Sequence, residues 1–191
     1  MSDAYTHSET FNGNDFSVTP LTRGEYENCK FHNCNFANCD LTGFKFVDCE
    51  FDASNLSMVK LAGTGLQNAR FKDCKLLGLR FDHCDDFGLS LSFDTCQLNH
   101  SSFYKRKLKK TTFDNSQLQE VDFGECDLTG AVFDSCNLLR AIFDRSILEK
   151  ADFTTAFNYS IDPEINKIRK AKFSVMGLAG LLGKYDIDIR K

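Results

Sequence analysis

The chain has 191 residues, enough for one domain with a sizeable hydrophobic core. Its 23 Lys and Arg residues against 27 Asp and Glu residues give a net charge of −4, which excludes an overall basic, nucleic-acid-binding composition but not a local basic patch. Two Pro and 12 Gly exclude collagen-like and Pro-rich disordered chains, and no apolar run is long enough to span a membrane. The first 15 residues lack a signal-peptide pattern, so we expect a cytoplasmic protein with nine reduced cysteines.

Residues 1–10 are predicted to form an N-terminal cap, and a five-residue repeat follows over residues 11–156. Phe or Leu, and once Tyr, occurs at every fifth position from 11 to 81 and again from 93 to 153. Every cysteine lies two residues before such a position or, for Cys84, at the equivalent place in the interruption. Other repeats mostly have Ser, Ala or Thr there. We therefore expect each repeat to bury one large and one small side chain.

A longer period of 20 residues indicates a four-sided coil. Phe recurs at 11, 31, 51, 71, 93, 113, 133 and 153, with one step of 22, and Phe173 extends this Phe column. Because four repeats of five complete one turn, the chain is predicted to be an all-β solenoid of seven to eight coils, with strands ~4.8 Å apart.

Three aspartates are predicted to stack on one side of this solenoid. Asp94, Asp114 and Asp134 each follow a member of the Phe column. Since like charges on neighbouring strands repel each other, either each Asp accepts hydrogen bonds from a corner turn, or the three form a charge array for a basic partner. Residues 111–166, which also include Asp144, hold 11 acidic and 3 basic residues. Mimicry of a nucleic-acid backbone is therefore a candidate function.

Two additional residues interrupt the repeat at residues 82–92. The candidate partner-binding residues of this interruption are Asp82, Asp85, Asp86 and Phe87. The next coil on the same side carries a basic patch of Lys105, Arg106, Lys107, Lys109 and Lys110. Arg106 occupies an inward, small-residue position, where an unpaired guanidinium is costly, so we expect the wall to distort there. Either the charges pair across coils in a tolerated bulge, or the interruption is a projecting contact loop.

No catalytic or metal-binding motif stands out in the sequence. It has no phosphate-binding Gly loop, no GxSxG and no HExxH. Cys29 and His32 have a ligand-like spacing, but Cys29 should point inwards and His32 outwards, and the neighbours His83 and Cys84 meet the same objection. We therefore interpret the cysteines as small buried residues and expect no metal, no cofactor and no enzymatic activity.

Residues 157–191 are predicted to cap the solenoid and to form a dimer. Ile161, Ile165 and Ile168 have helical spacing, Ser174 can cap a short helix from Val175 to about Leu182, and residues 185–189 alternate like a strand. A cap alone would cover the unpaired backbone at the solenoid end, but an isologous dimer is the preferred hypothesis. The predicted dimer residues are Val175, Met176, Leu178, Leu181, Leu182 and Tyr185.

Units such as Cys39-Asp40-Leu41 and Ala151-Asp152-Phe153 resemble those of the pentapeptide-repeat family over about residues 11–156. This resemblance implies a right-handed quadrilateral β-helix, here followed by a short α-helical C-terminal tail. The mid-rod interruption and the tail are similar to those of the topoisomerase-protecting branch, which includes the Qnr-type and albicidin-immunity proteins. Segments 98–104 and 168–174 carry the likeness to the immunity type.

The resemblance to this branch implies a tail-to-tail homodimer that imitates duplex DNA and binds DNA gyrase or topoisomerase IV. Protection of the enzyme from a quinolone-type or albicidin-type antibiotic would follow. The alternative function is a rigid protein-interaction scaffold with a partner other than a topoisomerase. Neither function involves a membrane or direct binding of nucleic acid.

Overall fold

A computed structural model describes residues 4–185 and 187–189, which form one parallel β-solenoid. The strands are β1 (Ala4–His7), β2 (Thr10–Asn12), β3 (Gly24–Glu27), β4 (Lys30–His32), β5 (Lys45–Val47), β6 (Glu50–Asp52), β7 (Gly65–Gln67), β8 (Ala69–Lys72), β9 (Leu91–Asp94), β10 (Thr112–Asp114), β11 (Val132–Asp134), β12 (Asp152–Phe153) and β13 (Lys172–Phe173). The 3-10 helices are Phe81–His83, Val175–Leu181 and Gly183–Tyr185.

The strands lie on two of the four sides of the solenoid. We number the four sides in chain order, starting with the side that carries the Phe column. Side 1 carries the larger sheet, in which β2, β4, β6 and β8 to β13 stack in chain order. Side 4 carries the smaller sheet of β1, β3, β5 and β7, and isolated bridges such as Asn35 to Asn55 and Ser102 to Asp122 join the coils elsewhere. Nine strands on side 1 mean about eight turns. The predicted right-handed, four-sided β-helix is confirmed.

Stacked aromatic rings fill the interior. The Phe113 ring lies 5.1 Å from that of Phe93 and 5.0 Å from that of Phe133, with planes within 8° and 2° of parallel. Its contact with Phe123, at 81°, is edge-to-face. Every large repeat residue from Tyr26 to Phe153 is buried, as the five-residue pattern predicts.

Within the described residues, the N-terminal end of the solenoid is only partly covered. Strand β1, in the segment predicted as a cap, pairs with β3 and so belongs to the first coil, while residues 1–3 lie outside the described residues. Phe11 and Leu21 are only partly buried and line a cavity of about 650 Å³ at this end.

The small inward residues have a hydrogen-bonding role that the repeat pattern does not reveal. The Thr64 hydroxyl donates to the carbonyl of Leu41 at 2.7 Å, and the Cys126 thiol donates to that of Phe103 at 2.8 Å. In both pairs the acceptor lies 23 residues earlier, at a large repeat residue of the preceding coil. Buried carbonyl groups need a hydrogen-bond partner. This bond therefore explains why Ser, Thr and Cys occur at a position where Ala would also fit by size.

The nine cysteines are all free thiols, and Cys39 is the one that is not fully buried. Burial raises the pKa of Cys49, Cys84, Cys126 and Cys136 to about 12. Because the thiolate is the reactive form, we expect a thiol reagent at pH 8 to modify at most Cys39 in the folded protein and all nine cysteines after denaturation. Counting labels by mass spectrometry tests this. A Cys39→Ser variant should take up no label, and labelling of several thiols in it would contradict this core.

The C-terminal segment differs from its predicted secondary structure. The expected helix through Ile161, Ile165 and Ile168 is wrong, because this segment makes a further coil. Asn166 there occupies the inward position, accepting a hydrogen bond from the Ser146 amide at 2.8 Å and donating to the Phe143 carbonyl at 2.8 Å. The pairing of β12 with β13 continues side 1 to Phe173.

The second predicted helix does form, over Val175–Leu181, but as a 3-10 helix rather than an α-helix. Ser174 caps it as expected, with its hydroxyl accepting from the Gly177 amide at 3.1 Å. The helix lies directly on Tyr159, since a Cβ atom at Gly177 or Gly180 would overlap that residue. The described part of residues 185–189 does not form the predicted strand: Tyr185 ends a 3-10 helix and residues 187–189 are irregular, while Asp186 lies outside the described residues.

Candidate interaction surface

The three predicted aspartates stack on side 1, one per coil. Asp114 is in register with Asp94 on β9 and with Asp134 on β11. Each carboxylate accepts a hydrogen bond from the next residue at the corner: from the Thr95 hydroxyl at 2.8 Å, the Asn115 amide at 3.0 Å and the Ser135 hydroxyl at 3.2 Å. Because the donors are neutral, these hydrogen bonds do not cancel the negative charges of the three aspartates. We call Asp94, Asp114 and Asp134 the aspartate ladder.

Charges stacked elsewhere on the solenoid alternate in sign. Glu50 lies between Lys30 and Arg70, Glu125 lies between Lys105 and Arg145, and Glu120 pairs with Arg140. Further pairs join Asp40 to Lys60, Glu149 to Arg169 and Asp152 to Lys172. Within the described residues, no cation lies within salt-bridge distance of the aspartate ladder, although Lys72 stands beside Asp94 in register on β8. The aspartate ladder is therefore an array of three stacked carboxylates without a salt bridge in that part of the chain. Asp144, by contrast, pairs with Arg145 at 2.9 Å.

The interruption forms a loop on side 4, which we call the break loop, residues 82–90. The Asp85 amide donates to the Thr64 carbonyl at 2.9 Å, and the Ser90 amide donates to the Leu66 carbonyl at 3.0 Å. Both ends of the loop are therefore hydrogen-bonded to the preceding coil. Phe87, at the tip, is 77% exposed. Gly88 follows with a φ of +68°, a left-handed conformation that glycine adopts at no steric cost.

The four predicted contact residues of the break loop occupy different environments. The Asp82 side chain is only 8% exposed, and Arg80 donates to both of its carboxylate oxygens, at 2.9 and 2.6 Å. Burial alone would raise the pKa of Asp82, but the Arg80 guanidinium holds it below its usual value. Asp85, Asp86 and Phe87 are exposed, so they form the accessible part of the loop.

The basic patch is largely paired with acidic residues of adjacent coils. Lys105 pairs with Glu125 at 3.6 Å and Lys109 with Asp127 at 3.2 Å, while Lys107 and Lys110 have no ion pair within the described residues. The expected distortion of the wall at Arg106 is wrong: the coil keeps its regular bridges, including Lys107 to Asp127. The guanidinium instead turns towards the break loop, where it pairs with Asp86.

The tail covers the end of the solenoid with one side of its helix and exposes the other. Leu181 packs against the core. The other predicted dimer residues, Val175, Met176, Leu178, Leu182 and Tyr185, are exposed, Val175 to 84%. Lys184 anchors the segment through Asp162 at 2.8 Å and Glu164 at 2.6 Å. Capping therefore uses few of the apolar side chains of the tail.

A second anchor, between β12 and β13, makes the last coil sensitive to acid. Hydrogen bonds from Lys172 and Thr154 lower the pKa of Asp152 to about 2. Since an unfolded Asp titrates near ~3.9, the stabilisation is complete above about pH 4 and is lost as the pH falls towards 2. Asp152→Asn should therefore lower the free energy of unfolding at pH 7, and the difference from wild type should shrink below pH 4. Urea unfolding at several pH values tests this, and a difference that did not change with pH would contradict it.

The described residues contain no group of three or more His, Cys, Asp or Glu side chains that could hold a metal ion. In that part of the chain, no helix is long and apolar enough to cross a membrane.

Family models match two parts of the chain, "Pentapeptide repeats (8 copies)" at residues 29–66 and "Pentapeptide repeat region" at residues 89–153. None of the curated proteins compared matches the sequence. Among solved structures, a trypsin-treated form of QnrB1, a plasmid-mediated fluoroquinolone resistance protein, has a TM-score of 0.76 at 14% identity, covering 98% of this chain and 92% of that one.

A second trypsin-treated form of QnrB1 has a TM-score of 0.63 at 15% identity, covering 98% of this chain and 100% of that one. At these identities the likeness concerns the fold. The two family matches together span more than half of the chain, and the coil geometry agrees with them throughout. The chain belongs to the pentapeptide-repeat family.

Proposed function

We propose that this protein acts by binding, as a rigid DNA mimic, to DNA gyrase or topoisomerase IV, and protects the enzyme from an antibiotic of the quinolone or albicidin type. The aspartate ladder carries the proposal, because its three carboxylates form no salt bridge within residues 4–185 and 187–189, whereas many other stacked charges are paired. Their spacing, ~4.8 Å per coil, is comparable to the ~3.4 Å per phosphate along one DNA strand. A fixed array of this kind attracts a basic protein surface.

Two further features support the same proposal. The fold is that of QnrB1, which is described as a fluoroquinolone resistance protein. The exposed apolar side chains of the tail, including Val175 and Met176, suit a homodimer that would double the length of the acidic rod. We place this dimer in the cytoplasm, where its topoisomerase partner works.

A DNA supercoiling assay tests the proposed function. Purified protein is added to gyrase, and separately to topoisomerase IV in a decatenation assay, with and without a quinolone or albicidin. We expect activity to be restored in the presence of one inhibitor, with inhibition of the enzyme itself at higher protein concentration. If neither enzyme responds, the proposed function is wrong.

Two observations favour the alternative, a scaffold that binds a different protein. Ion pairs across coils neutralise much of the charge outside the aspartate ladder, and the break loop presents an exposed aromatic tip, Phe87. Such a surface binds by shape and apolar contact more than by charge. Deletion of residues 85–89 that left topoisomerase protection intact would separate the loop from the DNA-mimic function.

A further inference from the structure

Arg106 occupies an inward position that most other coils of its column fill with a small residue, although Phe44 and Asn166 also occur there. Thr64, Cys126 and Ser146 are the corresponding residues of other coils, and each donates a hydrogen bond to a carbonyl 23 residues earlier, at 2.7, 2.8 and 2.8 Å. Arg106 lies directly after the coil that contains the break loop. Its longer side chain also donates hydrogen bonds to carbonyl groups of the preceding coil, but these carbonyl groups belong to the break loop.

The guanidinium of Arg106 holds the break loop at three points. Nη2 donates to the Asp82 carbonyl at 2.6 Å, and Nη1 donates to the Cys84 carbonyl at 3.3 Å and to the Asp86 carboxylate. The Arg106 side chain is only 15% exposed, whereas the Asp86 side chain is largely exposed. The contacts therefore reach from the base of the loop, at residue 82, to the residue next to its aromatic tip.

This arrangement is costly for the solenoid itself. The charged side chain is largely buried, and its Nε has no hydrogen-bond partner within the described residues. A Ser or Thr at the same position would avoid the cost of desolvating a guanidinium. The benefit of the arginine is therefore local. It adds contacts at residues 82, 84 and 86 to a loop whose other links to the preceding coil are backbone hydrogen bonds at residues 83, 85 and 90 and a bond from the Gln67 side chain to the Phe87 carbonyl at 3.5 Å.

We propose that Arg106 is a positioning residue that holds the break loop in one conformation and so presents Phe87 and Asp85 as a preformed protein-binding surface. A loop fixed before binding loses less conformational entropy on association, and this raises affinity without any new contact. The use of this surface for a topoisomerase rests on the proposed function; the clamp itself does not.

Hydrogen exchange of the full chain, followed by mass spectrometry, tests the clamp without any partner. In Arg106→Ser, peptides covering residues 82–92 should exchange about tenfold faster or more, with neighbouring coils unchanged, because opening stays local. Arg106→Lys should be intermediate, since an ammonium can keep one or two of the contacts. Lys107→Ser, an exposed neighbour without an ion pair, is the matched control and should exchange like wild type.

Two exchange results would overturn the clamp: unchanged exchange in Arg106→Ser, or faster exchange spread over the coils on both sides, which would indicate a purely structural role. The affinity of each variant for gyrase then shows whether a fixed break loop strengthens binding. Arg106→Ser should bind about tenfold more weakly, and Phe87→Ser should lose affinity without a change in exchange. If wild type does not bind gyrase, the proposed function fails while the exchange result still decides the clamp. If the loosened loop binds gyrase as tightly as wild type, the preformed surface is wrong.

Discussion

Replacing Asp94, Asp114 and Asp134 together with Asn is expected to weaken binding to the topoisomerase about tenfold or more, equivalent to ~1.4 kcal/mol. The three carboxylates have no salt bridge in the described chain, and only Asp94 has a lysine, Lys72, in register beside it, so much of their field is available to a basic surface. Stability should change little, within ~0.5 kcal/mol, because Asn retains the oxygen that accepts the corner hydrogen bond and the repulsion between coils is removed. Titration calorimetry and urea unfolding measure the two effects.

A matched control separates the position of the charges from their number. Glu50→Gln, Glu120→Gln and Glu149→Gln, combined, change the net charge by the same amount but remove carboxylates that are already paired with Lys or Arg. We expect this control to bind more tightly than the ladder variant at the same ionic strength. Equal losses in both variants would mean that overall charge, and not the aspartate ladder, determines binding.

Phe113→Ala is expected to destabilise the protein by ~3–5 kcal/mol, the largest effect of any single substitution considered. Phe113 is fully buried at the middle of the Phe column and stacks on a ring above and a ring below. Its removal leaves a cavity that the rigid coils on either side cannot close. Because each coil of a solenoid contacts only its neighbours, the loss should also weaken the cooperativity of urea unfolding.

Phe11→Ala is the control for this prediction. Phe11 belongs to the same column but lies at the N-terminal end, partly buried and stacked on one column neighbour, Phe31, at 4.8 Å. Its loss should therefore cost clearly less than that of Phe113. Similar costs at the two positions would contradict the view that stacking on both sides determines the contribution of a ring.

Most of the fold could be predicted from the sequence, because each five-residue repeat carries the same pattern of inward side chains. A Phe or Leu at every fifth position fixes which side chains point inwards, and the period of 20 fixes the number of sides. The same register placed Asp94, Asp114 and Asp134 on successive strands, as the structure confirms. The helix expected at Ile161, Ile165 and Ile168 failed because the segment forms a further coil, in which Ile161 and Ile168 face the interior but Ile165 is exposed and Asn166 is the inward residue.

The amino-acid sequence by itself determined the solenoid, its interior and the positions of its stacked charges, since each follows from periodicity along the chain. Only the tertiary structure decided which charges are neutralised, because ion pairs form between residues about 20 positions apart whose side chains must reach each other across a coil. It likewise decided that Arg106 turns to the break loop while the wall stays regular. A guanidinium has enough length and donors to leave an inward position, and where it goes depends on carbonyl groups that the folded loop brings within reach.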